Sequence, residues 1–465
     1  MVNGGQPTNY SDDAARAGTG GPGAGGPDTE DLEAGGPHTG SPDAGHPAGR
    51  SWLDRRHIIG AYAVFGVYAV VDAILSSGRD QVWAIWAAGG YAVALLILWR
   101  WRDRIAAVLV SVAAAVLAPL LWLSAAYPLE DGMNVIDRAA RLLLHHGTPY
   151  LSSGQIVGWR SYNPYLPVMT LFGLPNAAGL RATGWGGLAG NPGVWLAVGT
   201  VVPLAAAFWI AMPKPPGPAW RRDALLATAI AVASPVIGLN LAVITTDPPV
   251  LALMLLSLAL ALTPSALAGT GTAGSPLARA GASGSRLAGI VGSGAVLGVA
   301  CDLKSTAWLA VPVMAAMYAT RDGARAAGRF IAASVITAVV LIAILAPAVL
   351  VKPTAAAALV QNSVLFPLGL THDKTPAESL LPGHLLTAMG TAGHVVSIGL
   401  LLAAGLGIVI SLLIRPPRDV SAACRRLAIG LALIFLLGPD VRFGYFIYPL
   451  GLVGWLALTA SQNEM

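Results

Sequence analysis

Stretches of about twenty consecutive apolar residues recur along this chain, and that is the length a helix needs to cross the hydrocarbon of a bilayer. They fall at about 57–75, 82–99, 105–125, 193–212, 223–243, 248–263, 286–303, 305–320, 329–350, 393–414, 424–437 and 443–460. Lipid offers no partner to a bare N–H or C=O, so segments of this kind are predicted to be helices. With 55% hydrophobic and 11% charged residues, the chain lies far from soluble proteins, in which about a quarter of residues are charged. The expected fold class is therefore an all-α polytopic membrane protein with about 12 (11–13) transmembrane helices. A further run, 164–180, holds Pro164, Pro167, Gly173 and Pro175 and reads as a re-entrant or kinked segment as readily as a crossing.

Charge orients these spans, because short loops rich in Lys and Arg stay in the cytoplasm. One alternate set of loops carries Arg50, Arg55, Arg56, Arg100, Arg102, Arg104, Lys214, Arg221, Arg222, Arg279, Arg286, Arg321, Arg325, Arg329, Arg415, Arg418, Arg425 and Arg426. The other set is poorer in basic residues and richer in acids. Both termini are thus expected in the cytoplasm and the long connections 126–163 and 351–392 outside, provided that 164–180 does not cross. The net charge of +5 is scattered among apolar runs, which excludes a nucleic-acid surface.

Residues 1–50 hold seven acids among Gly, Pro, Ser and Thr, with hardly a large apolar side chain after Tyr10. Such a segment cannot bury enough surface to offset its ordering entropy and is expected to be a disordered cytoplasmic tail, without the apolar core of a signal peptide. Residues 51–465 form the membrane domain. Cys301 and Cys424 lie in or beside apolar runs without CxxC spacing, as free thiols would.

A transporter places its ionisable groups at mid-membrane, whereas an enzyme acting on lipid-linked substrates gathers them at one face. Here the acids gather in the outer loops; Asp72, inside a span, lies one turn from its outer end. The first outer loop begins Tyr127-Pro-Leu-Glu-Asp-Gly-Met-Asn-Val-Ile-Asp-Arg. It continues as a helical pattern with Asn134, Arg138, Arg141 and His145 on one face and Val135, Ile136, Ala139 and Leu143 on the other, stopped by Gly147 and Pro149. That describes a helix lying in the headgroup plane. Asp137 and Arg141, four apart, are expected to pair, and Glu130 and Asp131 stand where carboxylates favour a helix dipole.

An apolar span, an acid, an Ala-Ala-Arg-Leu-Leu-Leu-x-x-Gly-x-Pro-Tyr segment (139–150) and Tyr162-Asn-Pro-Tyr-Leu-Pro follow one another here. Further along come Thr246-Asp247-Pro248, Cys301-Asp302-Leu303-Lys304 leading to Trp308 and Pro312, and Arg442-Phe-Gly-Tyr-Phe-Ile-Tyr-Pro449. Over roughly 100–460 this order resembles the actinobacterial integral membrane glycosyltransferases of the GT-C fold, in particular the family-87-type mannosyltransferases that use polyprenyl-phosphate sugars. The resemblance implies a plasma-membrane, cell-envelope enzyme with an inverting transfer of a hexose, mannose favoured, from a polyprenyl-phosphate donor to an extracytoplasmic lipid or glycan acceptor. A loop carboxylate would take the acceptor's proton; no metal or other cofactor is implied.

Carried onto this chain, the resemblance makes Asp131 the first-loop base, with Glu130 and Asp137 as alternates. The donor phosphate falls to Lys304 and Arg442. Lys304 sits between two apolar runs where an unpaired ammonium is costly, so pairing with Asp302 or Asp247 is an equal expectation. Arg160, Tyr162, Asp247, His372 and Lys374 are candidate substrate contacts. The second outer loop, 351–392, is too long for a mere connection and reads as a lid or as an interfacial hairpin, with Asp373 and Glu378 beside His372. His372 and His384 match no zinc spacing, and Gly-rich 265–286 has no Walker pattern. A transporter or lipid flippase is the rival reading, and a scaffold acting through its acidic tail a third.

Overall fold

The structure is a computed structural model that describes residues 53–128, 130–180, 186–214, 217–262, 276–373, 379–439 and 441–459. The expected tail, Lys374 and Glu378 lie outside these residues. The described residues are largely helical, with no strand among them, and each of the twelve apolar runs from 57–75 to 443–460 falls on helical segments. Among the described residues eight helices are long and apolar enough to cross a membrane: α1 Arg55–Leu75, α2 Gly78–Arg100, α3 Arg104–Ala126, α5 Pro192–Ala211, α9 Gly284–Leu303, α11 Ala324–Leu345, α13 Thr391–Ile414 and α14 Val420–Leu437. The pair α6 Ala219–Ala233 and α7 Pro235–Ala242 is apolar enough to make a ninth when taken together, as a broken span or a re-entrant loop. The remaining three runs are shorter helices, α8 Asp247–Leu260, α10 Ala310–Asp322 and α15 Ile447–Thr459. Run 164–180 does not cross; it is a 3₁₀ segment, Pro167–Gly173, and one α turn, Leu174–Ala177.

Breaks in the helices have local causes. Pro235 cannot donate, so α6 and α7 meet at 63°. Tyr91 then donates its hydroxyl to the carbonyl of Ala233, and Ser234 caps the carbonyl of Ala231 at 2.6 Å. Within α3 the turn Ala113–Leu117 is π-wound, and Trp83 Nε1 donates to the carbonyl of Ala115 at 2.7 Å.

Small residues bring the core helices close, as membrane helices require in the absence of a hydrophobic drive between them. Gly294 and Gly298, one turn apart on α9, lie against the main chain of α11; a Cβ on either would meet the carbonyl of Phe330 or Ser334 at 2.5 Å. On its other side α9 is locked to α8 by Ser257 and Ser293, each donating its hydroxyl to the other's carbonyl at 2.8 and 2.9 Å. The register of α8 on α9 is thereby fixed. The start of α8, Asp247, and the end of α9, Leu303–Lys304, fall together.

The two ends of the bundle differ. At one, arginines tie main chain: Arg55 donates to Leu98, Arg104 to Leu53, Arg321 to Ala261 and Arg426 to Ser411. Asp322 is buried there between Arg286 and Arg321. At the opposite end stand the two long loops. The first contains α4, Asp131–His146; the second contains α12, Pro353–Val360, continued by a π-wound turn, Gln361–Leu365.

Candidate active site

Helix α4 starts at Asp131 after an extended Glu130 and stops at Gly147, which takes the left-handed conformation (φ 67°). Its buried face is Met133, Ile136, Asp137, Ala139 and Ala140. Asp137 therefore belongs to the packing face, and among the described residues its hydrogen-bond donor is Asn176 Nδ2 rather than the expected Arg141, which is exposed. Gly173 permits this seat, since a Cβ there would strike the carbonyl of Ile136 at 2.7 Å. Arg138, expected on the polar face, instead donates to the carbonyls of Arg160, Ser161 and Tyr162 at 2.7, 2.9 and 3.2 Å and so holds that turn against α4.

The held turn carries two of the expected contacts. Arg160 Nε lies 3.5 Å from Asp131 Oδ1, with both side chains exposed (72% and 51%). Tyr162 is buried and stacks on Phe366 of the second loop, ring centroids 4.2 Å apart and planes 3° from parallel. Further ties clasp the loops together. Asn163 N donates to Asn362 Oδ1 at 2.7 Å, Ser153 to Gln361 at 2.8 Å, and Ser363 to the hydroxyl of Tyr150 at 3.4 Å. The start of the second loop is thus docked on the first. His372 is exposed beyond it.

Lys304 settles on one of its two expected partners. Its Nζ lies 2.6 Å from Asp247 Oδ1, only 8% of the residue is exposed, and the ammonium stands 4.5 Å from the centre of the Tyr445 ring. Tyr448 donates its hydroxyl to the same Asp247 oxygen at 2.7 Å. Burial pulls the Lys304 pKa down, and the carboxylate of Asp247 followed by the hydroxyl of Tyr445 outweigh it, so the group stays charged. Asp302 is not its partner: that carboxylate is 1% exposed, and neither oxygen has a hydrogen bond among the described residues.

The turn before Asp247 is strained. Ile244 has φ 63°, a conformation that a β-branched residue rarely adopts, and its side chain fills the space that a Cβ on Gly193 would need. Thr245 donates to Asn240 Oδ1 at 2.9 Å on the other side. The next hydroxyl, Thr246, meets that of Tyr165, whose pKa burial raises to about 12.

Tyr165 joins the two groups. Its hydroxyl lies 3.0 Å from where a Cβ on Gly132 would stand, beside Asp131, and it feels the charge of Lys304. The segment 442–448 closes the circle: Arg442 faces Glu130 electrostatically, Tyr445 lies under Lys304 and Tyr448 reaches Asp247. Glu130 is half-buried; burial lifts its pKa from 4.5 to about 7, although Arg79 and Arg442 oppose the shift. The arrangement thus offers carboxylates at a rim, cations around them and a tyrosine-lined floor. Tyr165, Tyr445, Tyr448 and Thr246 were absent from the expected site, yet all four stand inside the motifs quoted above. Arg79 had no such signal. Among the described residues no three His, Cys, Asp or Glu side chains are grouped to hold a metal ion.

No known family matches the sequence, and no curated protein does. Among solved structures the chain is similar to ArnT from Cupriavidus metallidurans, determined with undecaprenyl phosphate bound. Identity is 18%, the match covers 77% of this chain, and the TM-score is 0.41. The chain spans 60% of the length of that protein.

Proposed function

We propose that this protein is an integral membrane glycosyltransferase of the GT-C type, moving a hexose from a polyprenyl-phosphate donor to a lipid or glycan acceptor at the face that carries the two long loops. The observation that supports it is the convergence of three separated motifs, Glu130–Asp131, Asp247–Lys304 and Arg442–Tyr448, on Tyr165 at one end of the bundle.

In this reading the acceptor hydroxyl attacks the anomeric carbon and the carbon–oxygen bond to the phosphate breaks with inversion. The hydroxyl proton passes to a rim carboxylate, and polyprenyl phosphate departs with the bonding pair. Asp131 is the proposed base, held by Arg160; Glu130, with a pKa near the ambient pH, is its rival, and a positioned base contributes about 10²- to 10⁴-fold. Asp137, engaged with Asn176 on the packing face, is the weakest of the three. Arg442 and Lys304 are the proposed cations for the developing phosphate charge. Mannose is the proposed sugar, and both termini are proposed to be cytoplasmic in a bacterial plasma membrane.

The test is transfer from radiolabelled polyprenyl-phosphate mannose into membrane lipids, comparing wild type with Asp131→Asn, Glu130→Gln and Asp137→Asn at matched expression. Loss of about 10²-fold or more in Asp131→Asn, with Asp137→Asn active, supports both enzyme and base. Loss confined to Glu130→Gln moves the base by one residue. The rival transporter reading draws on the 63° bend between α6 and α7 and on the buried Asp247–Lys304 pair; uptake or flipping that survives all three substitutions would favour it.

A further inference from the structure

At the arginine-rich end of the bundle, a groove of about 470 Å³ runs between α1, α6 and α15. That volume falls within the range of small-molecule sites, about 300–1,000 Å³. Its walls are hydrocarbon, Val64 from α1 facing Ile230 of α6 and Leu458 of α15, and its mouth carries Arg56 and His57. The floor has room: a Cβ on Gly60 would meet no atom within 4 Å. Neighbouring arginines of this end are turned inward to main-chain carbonyls, Arg55 to Leu98 and Arg104 to Leu53. Among the described residues Arg56 is the exposed cation lining the groove. A second cavity of about 300 Å³, between α5 and α6, offers a contrast, because Ala205, Trp209, Leu225 and Thr228 line it with no charged group.

From this pairing of a cationic mouth with an unfilled apolar trench we infer that the groove is a binding site for a glycerophospholipid with an anionic headgroup. The phosphate sits at Arg56 and His57, and one acyl chain lies over Gly60 and Val64. Any lipid tail fits the trench; the cation is what selects the headgroup, as basic residues at a membrane surface do. The inference is independent of the glycosyltransferase reading.

The full-length protein, reconstituted in nanodiscs of phosphatidylglycerol and phosphatidylcholine in equal amounts, is released into native mass spectrometry and its retained lipids counted. Wild type and Arg56→Lys keep phosphatidylglycerol in preference. Arg56→Gln lowers the ratio of phosphatidylglycerol to phosphatidylcholine about fivefold, the loss expected for one basic residue at such a surface. Gly60→Leu, whose Cβ meets no atom within 4 Å, fills the floor and lowers retention of both lipids, while Leu225→Ala in the uncharged cavity leaves the ratio unchanged. Equal retention of the two lipids by wild type, or an unchanged ratio in monodisperse Arg56→Gln, would overturn the site.

Discussion

The loop end of the bundle holds two clusters made from the same kinds of group and used in opposite ways. Asp247, Lys304 and Tyr448 are buried and close on one another at 2.6 and 2.7 Å. Glu130, Asp131 and Arg160 stand at the rim, with one exposed pair at 3.5 Å and one carboxyl that burial leaves half-protonated near neutrality. A buried pair is held by its neighbours and pulls two helix ends and the 442–448 segment into register. An exposed pair exchanges partners with water or substrate at little cost. In the proposed reading the first cluster holds the fold while turning Lys304 toward the donor phosphate, and the second would take the acceptor's proton.

The largest effect should come from splitting the buried pair. Lys304→Met removes the cation from buried Asp247 and should cost about 3–5 kcal/mol, whereas Asp247→Leu with Lys304→Met should recover most of that loss. Thermal unfolding in detergent reads both. If the double variant regains stability but transfers no sugar, Lys304 or Asp247 acts on substrate as well as on the fold. If Lys304→Met melts like wild type, the contrast between the clusters fails.

Glu130 sharpens the comparison through pH. Its pKa is about 7 when folded and near 4.5 when unfolded, so between those values the folded state holds more proton. Folding stability therefore falls as pH rises through this window, with the full cost present above about 7 and none below 4.5. Glu130→Gln should raise stability at pH 8 by up to about 3 kcal/mol and leave it unchanged at pH 4. A variant more stable and less active marks a residue kept for chemistry; melting at the two pH values, with transfer assayed alongside, checks it.

Much of this architecture was legible because lipid enforces it. An apolar run near twenty residues has few alternatives to a helix, whereas the prolines of 164–180 left a re-entrant or kinked segment and a crossing equally open. Lys304 was readable as a buried cation, but its choice of Asp247 over Asp302 was not. That choice depends on the Ser257–Ser293 lock, which sets α8 against α9. Asp137 misled for a related reason: spacing places Arg141 one turn away, while Asn176, distant in sequence, takes the carboxylate. The tyrosines of the floor lay within quoted motifs, yet nothing in their spacing shows that residues 165, 445 and 448 meet.

The strained turn that aims Asp247 supplies a smaller effect. Gly193→Ala would place a Cβ 2.7–2.9 Å from the side chain of Ile244 and force that residue to move. Overpacking of this kind costs about 1–3 kcal/mol, and because Thr246 and Asp247 follow directly, the displacement should reach the buried cluster. Loss of transfer larger than the loss of stability would show that the turn's geometry matters beyond packing.

The smallest stability effect, and the one that tests the rim most directly, belongs to Arg160→Ala. Its pair with Asp131 is exposed on both sides, so its removal should change stability by less than about 1 kcal/mol, and wild type should lose that increment at high salt. If Arg160 nonetheless orients the base, transfer by the variant should fall without a matching fall in melting temperature, and Arg160→Lys should recover only part, since an ammonium lacks the planar fork that fixes a carboxylate's angle. An effect on stability as large as that of Lys304→Met would place Arg160 in a support role and erase the distinction between rim and floor.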